Sequence, residues 1–95
     1  MAQLTVTEVE TTQEGDLVLV TGLLSVATAA ATRDYFDMPG VANAEYCILV
    51  STNAVTESAV YPLVNTDGTG ARDVTKCSFI ANDAIIFRFL IGAKS

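Results

Sequence analysis

The chain has 95 residues, of which 51% are hydrophobic and only 17% are charged, and its net charge is −6. This length predicts a single domain over residues 1–95. The negative charge and the scattered basic residues disfavour binding to nucleic acid or to an anionic membrane. An average protein has about 25% charged residues, so the apolar excess must fill a dense core or be covered by another chain.

Apolar and polar residues alternate in the first third of the chain, which predicts strands. Residues 3–9 indicate a half-buried strand, and residues 13–16 indicate a turn. Residues 17–20 are apolar on both faces and indicate a central strand. Residues 23–33 mix alanines that favour helix with Thr, Ser and Val that favour strand. Because the surrounding signals are β, we expect a strand followed by a loop, with a stop at residues 37–40.

The middle of the chain predicts two further strands and a loop. Residues 45–51 alternate with period two and indicate a strand. Residues 56–64 indicate the next strand, and Pro62 places it at a sheet edge because proline cannot donate a ladder hydrogen bond. Residues 65–73 are polar and contain two glycines, which predicts a long loop.

The last third of the chain predicts a β-hairpin. Residues 74–81 and 84–91 are rich in β-forming residues, and Asn82-Asp83 between them is a turn-forming pair. The whole chain therefore yields about six to seven short antiparallel strands. The predicted fold is an all-β, single-domain β-sandwich or small β-barrel.

The chain contains no histidine. Histidine is the usual general base and the commonest neutral metal ligand, so its absence excludes Ser-His-Asp and Cys-His catalysis and any zinc site built on histidine. We therefore expect no enzymatic activity, no cofactor and no bound metal.

Two acidic segments remain as candidates for chemistry. Asp34 and Asp37 flank two aromatic residues, but a small domain scarcely forms the sugar-sized cleft that a carboxylate pair needs. We expect a polar loop with aromatic anchors there. Residues 65–68 are similar to part of a calcium-binding loop, but EF-hand spacing places Leu63 and Val74 where the terminal carboxylates belong. A turn is the better interpretation of that segment.

Cys47 and Cys77 are the only cysteines, and each lies in an apolar strand pattern. Residues 1–5 lack the basic start and apolar run of a signal peptide. We therefore expect synthesis and assembly in a cytosol, with two reduced and buried thiols. Residues 17–31, the longest apolar-leaning stretch, are too short and too interrupted by polar residues to span a bilayer.

Several predicted strands carry apolar residues on both faces, namely residues 17–20, 46–50 and 84–91. A two-layer sandwich buries only one face of each sheet, so the opposite faces need cover from another element or subunit. The candidate interface residues are Ile86, Leu90, Tyr35 and Phe36.

The chain resembles small bacteriophage virion proteins, especially capsid decoration (cement) proteins. The resemblance lies in residues 1–7 (Met-Ala-Gln-Leu-Thr-Val-Thr), in the Thr/Ala/Val-rich residues 21–32, and in the glycine-rich acidic loop 65–73. It implies a non-catalytic protein that binds a capsid lattice, often as a trimer, and resides in the virion. The alternative is a carbohydrate- or receptor-binding module that uses residues 34–37 and 65–73 as its binding surface.

Overall fold

The computed structural model describes residues 3–26, 33–52, 60–81 and 85–94. These residues form eight strands and no helix, in two four-stranded sheets that pack face to face, which confirms the predicted β-sandwich. The strands are β1 (Gln3–Leu4), β2 (Val6–Glu14), β3 (Leu17–Val26), β4 (Asp34–Asp37), β5 (Ala44–Ser51), β6 (Leu63–Thr66), β7 (Arg72–Phe79) and β8 (Ile85–Lys94). Sheet I has the order β1-β4-β7-β6 and sheet II the order β2-β3-β8-β5. The described residues thus form eight strands rather than the six to seven predicted, and β1 pairs with β4 in parallel rather than antiparallel.

The core lies between the inner faces of the two sheets and is dominated by phenylalanine. Phe36 and Phe79 come from sheet I, and Phe87 and Phe89 come from sheet II; each is at most 1% exposed. The Phe36 ring lies 5.4 Å from Phe89 across the sandwich, and the Phe79 ring meets Phe87 edge-on at 6.0 Å. Tilted and edge-on aromatic pairs of this kind stabilise a core beyond the area that they bury.

The N-terminal strand is divided between the two sheets, so the prediction of one strand over residues 3–9 was wrong. The chain leaves sheet I after Leu4 and enters sheet II at Val6. Both side chains pack against the same core from opposite layers. The alternating pattern that suggested one strand therefore reflects a crossing between the sheets at Thr5.

Strand β3 is an interior strand of sheet II, paired with β2 on one side and β8 on the other, as predicted for residues 17–20. A tight turn at Gly15 and Asp16 joins it to β2, and Gly15 adopts a φ of 62°, which glycine reaches without steric cost. The strand continues to Val26, as expected for the start of residues 23–33. Residues 27–32 lie outside the described part of the chain.

The predicted hairpin over residues 74–91 was wrong, because β7 belongs to sheet I and β8 to sheet II. Both strands carry large apolar residues on one face. These faces meet across the core, where Phe79 contacts Phe87, so the strands do not pair side by side. The connecting residues 82–84 lie outside the described part of the chain.

Strand β6 forms an edge of sheet I, as Pro62 predicted. The strand extends to Thr66, so the loop predicted from residue 65 begins two residues later, and residues 56–59 lie outside the described part. Asn65 joins this edge to sheet II. Its Oδ1 accepts a hydrogen bond from the Ala44 amide (2.9 Å), and its Nδ2 donates one to the Ala44 carbonyl (3.0 Å).

Candidate functional site

The outer face of sheet II is the candidate site. Residues that are Cα partners on adjacent strands point to the same side of a sheet, and the register therefore defines this face. We use the name apolar outer face for its central group, which comprises Tyr46, Ile48 and Val50 of β5 and Ile86 and Leu90 of β8.

Both faces of β8 carry large apolar side chains, but only those of the inner face are covered. On the inner face, Phe87, Phe89 and Ile91 are at most 1% exposed. On the outer face, Ile86 is 37% exposed and Leu90 is half-buried. A strand with one face in water normally alternates between apolar and polar residues, and β8 departs from that pattern.

Strand β5 carries the most exposed part of the same face. Ile48 is 48% exposed and Val50 is 58% exposed, although both are strongly apolar. The register places Ile48 beside Leu90 and Val50 beside Arg88. The exposed side chains are therefore contiguous with those of β8, which distinguishes this face from scattered surface residues.

Tyr46 and Gly92 make one end of the face flat. The two residues are Cα partners, and a Cβ added at Gly92 would lie 2.3 Å from the Tyr46 ring. The ring therefore lies directly over the glycine, where no side chain can hold it away from the sheet. At the other end, the Thr52 amide and hydroxyl both donate to the Ile86 carbonyl at 2.9 Å, which fastens the end of β5 to β8.

A shallow depression of about 390 Å³ lies in the middle of this face. Its lining includes Thr21, Ile48, Val50, Arg88 and Leu90. Sites for small molecules combine apolar walls with several convergent polar groups. Arg88 is the one charged side chain of this lining, and its other polar side chains are Thr21 and Thr52. The chemistry of the depression therefore suits an apolar protein surface better than a polar metabolite.

The margins of the face carry charge. Glu10 and Glu14 of β2 are the partners of Thr21 and Leu17 and so project from the same side. At the end of β8, Lys94 lies 3.8 Å from Glu45. Arg88 of β8 is the exception, because it lies beside Val50 within the face. A mainly apolar centre with a charged margin is the usual anatomy of a protein interface.

The outer face of sheet I is mainly polar and internally bonded, although Leu63 on its edge strand β6 is 48% exposed. Lys76 Nζ lies 2.8 Å from Asp37 Oδ1 and 3.6 Å from Asp73 Oδ2, and Gln3 Nε2 donates to Asp37 Oδ2 at 2.8 Å. The hydrogen bond to Asp37 raises the pKa of Lys76. The Lys76 ammonium also lies 6.0 Å from the centre of the Tyr35 ring. The polar groups around Lys76 are therefore partnered by their own neighbours on this face.

The structure brings together two of the four predicted interface residues. Ile86 and Leu90 both lie on the apolar outer face, whereas Tyr35 is half-buried on the opposite sheet. The prediction for Phe36 was wrong, because that side chain is 0% exposed. Residues 34–37 form strand β4 rather than a loop, and alternation along it turns Phe36 into the core.

Sequence reasoning did not include Tyr46, Ile48 and Val50 among the candidate interface residues. Their alternation within residues 45–51 had placed them on a common face, but sequence alone does not show that β5 pairs with β8. The register supplies this information and adds them to the face of Ile86 and Leu90.

The acidic residues of segments 34–37 and 65–73 are buried or bonded to neighbouring side chains and backbone. Asp34 is buried at 5% exposure within β4, and Asp37 pairs with Lys76, so these two residues do not form a surface loop. Asp67 Oδ1 accepts from both the hydroxyl (2.6 Å) and the amide (3.0 Å) of Thr69, which lowers the pKa of Asp67. Within the residues that the structure describes, no group of three or more His, Cys, Asp or Glu side chains is placed to hold a metal ion.

Comparison with known proteins identifies no relative: no family model, no curated protein and no solved structure matches the chain. Across the described ranges, none of the secondary structure is a helix long and apolar enough to cross a membrane.

Proposed function

We propose that this protein is a non-catalytic assembly protein that binds other copies of itself through the apolar outer face of sheet II. The observation that carries the proposal is the contiguous exposure of Tyr46, Ile48, Val50 and Ile86 at 37–58% on a two-layer fold. The smallest dimension of the molecule is 18 Å, about the thickness of two sheets packed roughly 10 Å apart with their outer side chains.

The size of the face is sufficient for a specific dimer. Taken over all four strands of sheet II, with the charged margin included, the face is roughly 19 Å wide at about 4.8 Å per strand. Nine residues at about 3.3 Å each give it a length of roughly 30 Å. Each copy thus offers roughly 600 Å², and two copies bury roughly 1,200 Å², which reaches the lower end of stable protein interfaces.

The energetics favour the same conclusion. Full burial of a Val-, Leu- or Ile-sized side chain stabilises by about 1.5–3 kcal/mol. Four side chains of the apolar outer face are 37–58% exposed, so completing their burial contributes up to about half of that for each. Four or five such side chains per copy can offset an association cost of about 4–15 kcal/mol.

We further propose that the assembly decorates a larger shell, as the resemblance to phage capsid decoration proteins implies. In this proposal the protein resides in the virion and stabilises the major capsid lattice. The resemblance implies a unit of three copies, whereas contact of the apolar outer face with the same face of a second copy closes at two, and the measured mass distinguishes the two. The number three comes from the resemblance. The net charge of −6 supports attachment to protein rather than to the packaged nucleic acid.

Two matched variants test self-association. Ile48 of β5 and Leu63 of β6 are each 48% exposed, and each lies on an edge strand, but they belong to different sheets. We expect Ile48→Asp to dissociate the oligomer, because it places a charge in the apolar interface. We expect Leu63→Asp to leave the oligomer intact. Light scattering coupled to size exclusion measures the mass, and circular dichroism checks that both variants keep their β-structure.

Equal masses for the wild type and both variants would contradict the role of this face. If Leu63→Asp dissociates the oligomer and Ile48→Asp does not, the interface lies on sheet I instead. Binding of the monomeric protein to a glycan array would favour the carbohydrate-binding alternative over the assembly role.

Attachment to a shell needs a separate test. Tagged wild-type, Ile48→Asp and Leu63→Asp chains are produced in the cells that make the particles, and the lysates are separated on a density gradient. We expect the wild type and Leu63→Asp to band with the particles. Recovery of the wild-type chain only at the top of the gradient would contradict the decoration role.

A further inference from the structure

Arg88 lies among apolar side chains on the outer face of sheet II. Its Cα partners are Leu23 of β3 and Val50 of β5, and the nearest residues on the same face of β8 are Ile86 and Leu90. The Arg88 side chain is exposed, and the ion pairs of the described residues do not include it. A guanidinium is weakly hydrated and stacks on aromatic rings, which suits it to contacts that exclude water. Arg88 is therefore the side chain of this face that gains most from a specific contact on a docked partner.

The residues of this face are arranged evenly about the row that contains Leu90. On β8, Arg88 and Gly92 lie two residues to either side of Leu90, roughly 7 Å along the strand. Their Cα partners on β5 are Val50 and Tyr46. The row of Arg88 and Val50 is raised, whereas the opposite row is low, because the Tyr46 ring lies over a glycine that has no side chain. A raised row and a low row at equal distances from the centre make the face complementary in shape to a second copy turned by 180°.

Building on the self-association proposed above, we propose that two copies pack face to face across a twofold axis that runs across the strands through Leu90. Arg88 of each copy then stacks on the Tyr46 ring of the other copy. In a twofold contact residue i meets residue j and residue j meets residue i, so the contact forms twice. Arginine and tyrosine are the residue types that anchor the centres of protein interfaces, and a cation–π contact is strongest where water is excluded.

The charges at the margin favour this orientation over the other simple one. Glu10 and Ile48 lie in the same row as Leu90, at opposite edges of sheet II. A twofold axis along the strands would set β2 of one copy on β5 of the other, so that Glu10 would meet the exposed Ile48 without a charged partner, which is costly. An axis across the strands instead sets β5 and β8 on their own copies. Facing sheets cross at about 30°, so the register holds best near β5 and β8 and diverges toward Glu10.

The contact can be measured because Tyr46 and Arg88 do not meet within one chain. They lie on adjacent strands but four residues apart along them, which separates their Cα atoms by roughly 14 Å. Any coupling between substitutions at these two positions therefore reports a contact between copies.

The test mixes two charge-changed chains. We expect Arg88→Glu to be monomeric, because it sets a carboxylate against the Tyr46 ring of the other copy. We expect Tyr46→Lys to be monomeric as well, because it sets an ammonium against Arg88 of the other copy. An equimolar mixture should form a dimer, since the mixed pair has one contact between opposite charges and one wild-type contact. Light scattering at a concentration where the wild type is dimeric measures the three masses.

Controls separate this contact from general effects of charge and folding. Arg72→Glu makes the same change of charge on β7 of sheet I, and it should leave the dimer intact and fail to complement Tyr46→Lys. Circular dichroism checks the β-structure of every variant. Both cysteines are free, with Cys77 buried as predicted and Cys47 only half-buried, so a reducing agent in all samples keeps the measured association noncovalent.

Neutral substitutions give a second measurement if a charged variant does not fold. Arg88→Met should raise the dissociation constant of the dimer by about tenfold, because two cation–π contacts are lost. Tyr46→Leu should act similarly. The double variant should bind no more weakly than either single variant, because each substitution removes the same contact.

The outcomes distinguish this inference from the proposed function. A mixture that stays monomeric, or neutral substitutions whose effects simply add, would overturn the contact between Arg88 and Tyr46. An oligomer that Ile48→Asp dissociates but Arg88→Glu leaves intact would overturn the register alone. A wild-type mass of three chains would overturn the twofold axis and leave the assembly role standing. A wild type that is monomeric at every concentration would overturn both.

Discussion

The outer faces of the two sheets differ in how their solvent-facing side chains are partnered. On sheet I, Lys76 bridges Asp37 and Asp73, and Arg33 donates to the backbone carbonyls of Tyr61 and Ser78. On sheet II, the centre of the face is apolar and open to solvent. Both sheets contribute phenylalanines to one core, so the difference lies only in what faces outward. A face with its own polar network needs no partner, whereas an open apolar face gains free energy from one.

The largest change in the free energy of unfolding that we expect comes from a substitution in the shared core. Phe89→Ala should lower the free energy of unfolding by about 3–5 kcal/mol, because it removes a fully buried ring that packs on Phe36. Val50→Ala, on the outer face of the same sheet, should change the unfolding free energy of the dilute monomer by less than about 0.5 kcal/mol. Urea unfolding at one low protein concentration measures both. Similar losses would show that the outer face is part of the folding core.

Two glycines of sheet II sharpen the contrast between its faces. A Cβ at Gly22 would lie 2.6 Å from the buried Phe89 ring and 2.9 Å from the Thr7 carbonyl oxygen, so Gly22→Ala should cost about 1–3 kcal/mol of stability. A Cβ at Gly92 would meet the exposed Tyr46 ring, which can swing into solvent. Gly92→Ala should therefore cost about 0.5 kcal/mol or less.

Thermal melts of both glycine variants compare these costs. Equal losses would mean that Tyr46 is as firmly held as Phe89. Because the displaced Tyr46 ring would also disturb the flat face, Gly92→Ala should weaken self-association more than it weakens the fold.

The smallest effect on stability that we expect comes from the polar network of sheet I. Hydrogen bonds from the Thr75 hydroxyl and amide lower the pKa of Asp73 below its usual 3.8. A carboxyl whose pKa is lower in the folded state stabilises the fold above its unfolded pKa, and this contribution is lost as the pH falls through the folded value. Asp73→Asn should therefore melt slightly below the wild type at neutral pH and together with it in strong acid. A difference that persists in strong acid would assign the effect to packing instead.

The sequence predicted the class of fold because its strongest signals are local. Alternation over residues 45–51 and the apolar runs at 17–20 and 84–91 indicate strands without reference to the rest of the chain. The turn pair Asn82-Asp83 failed as a hairpin signal because β7 and β8 have equally apolar inner faces. Such strands can face each other across a core as well as pair side by side, and local propensity does not distinguish these arrangements.

Only the part of the candidate site that depends on local alternation could be predicted from the sequence. Ile86 and Leu90 follow from alternation along a single strand, opposite the aromatic inner face. Phe36 was misassigned because a short segment with aspartates at both ends reads as a loop, while tertiary pairing with β7 makes it a strand. Tyr46, Ile48 and Val50 join the site only through the register of β5 with β8, which is a long-range property.

The molar mass of the wild-type protein across a dilution series tests the central claim most directly. Light scattering from micromolar to nanomolar concentration should give a multiple of the 10.0 kDa chain mass at the upper end, falling toward 10.0 kDa on dilution. Ile48→Asp should give 10.0 kDa throughout the series. A wild type that remains at 10.0 kDa at every concentration would contradict self-association through the outer face of sheet II.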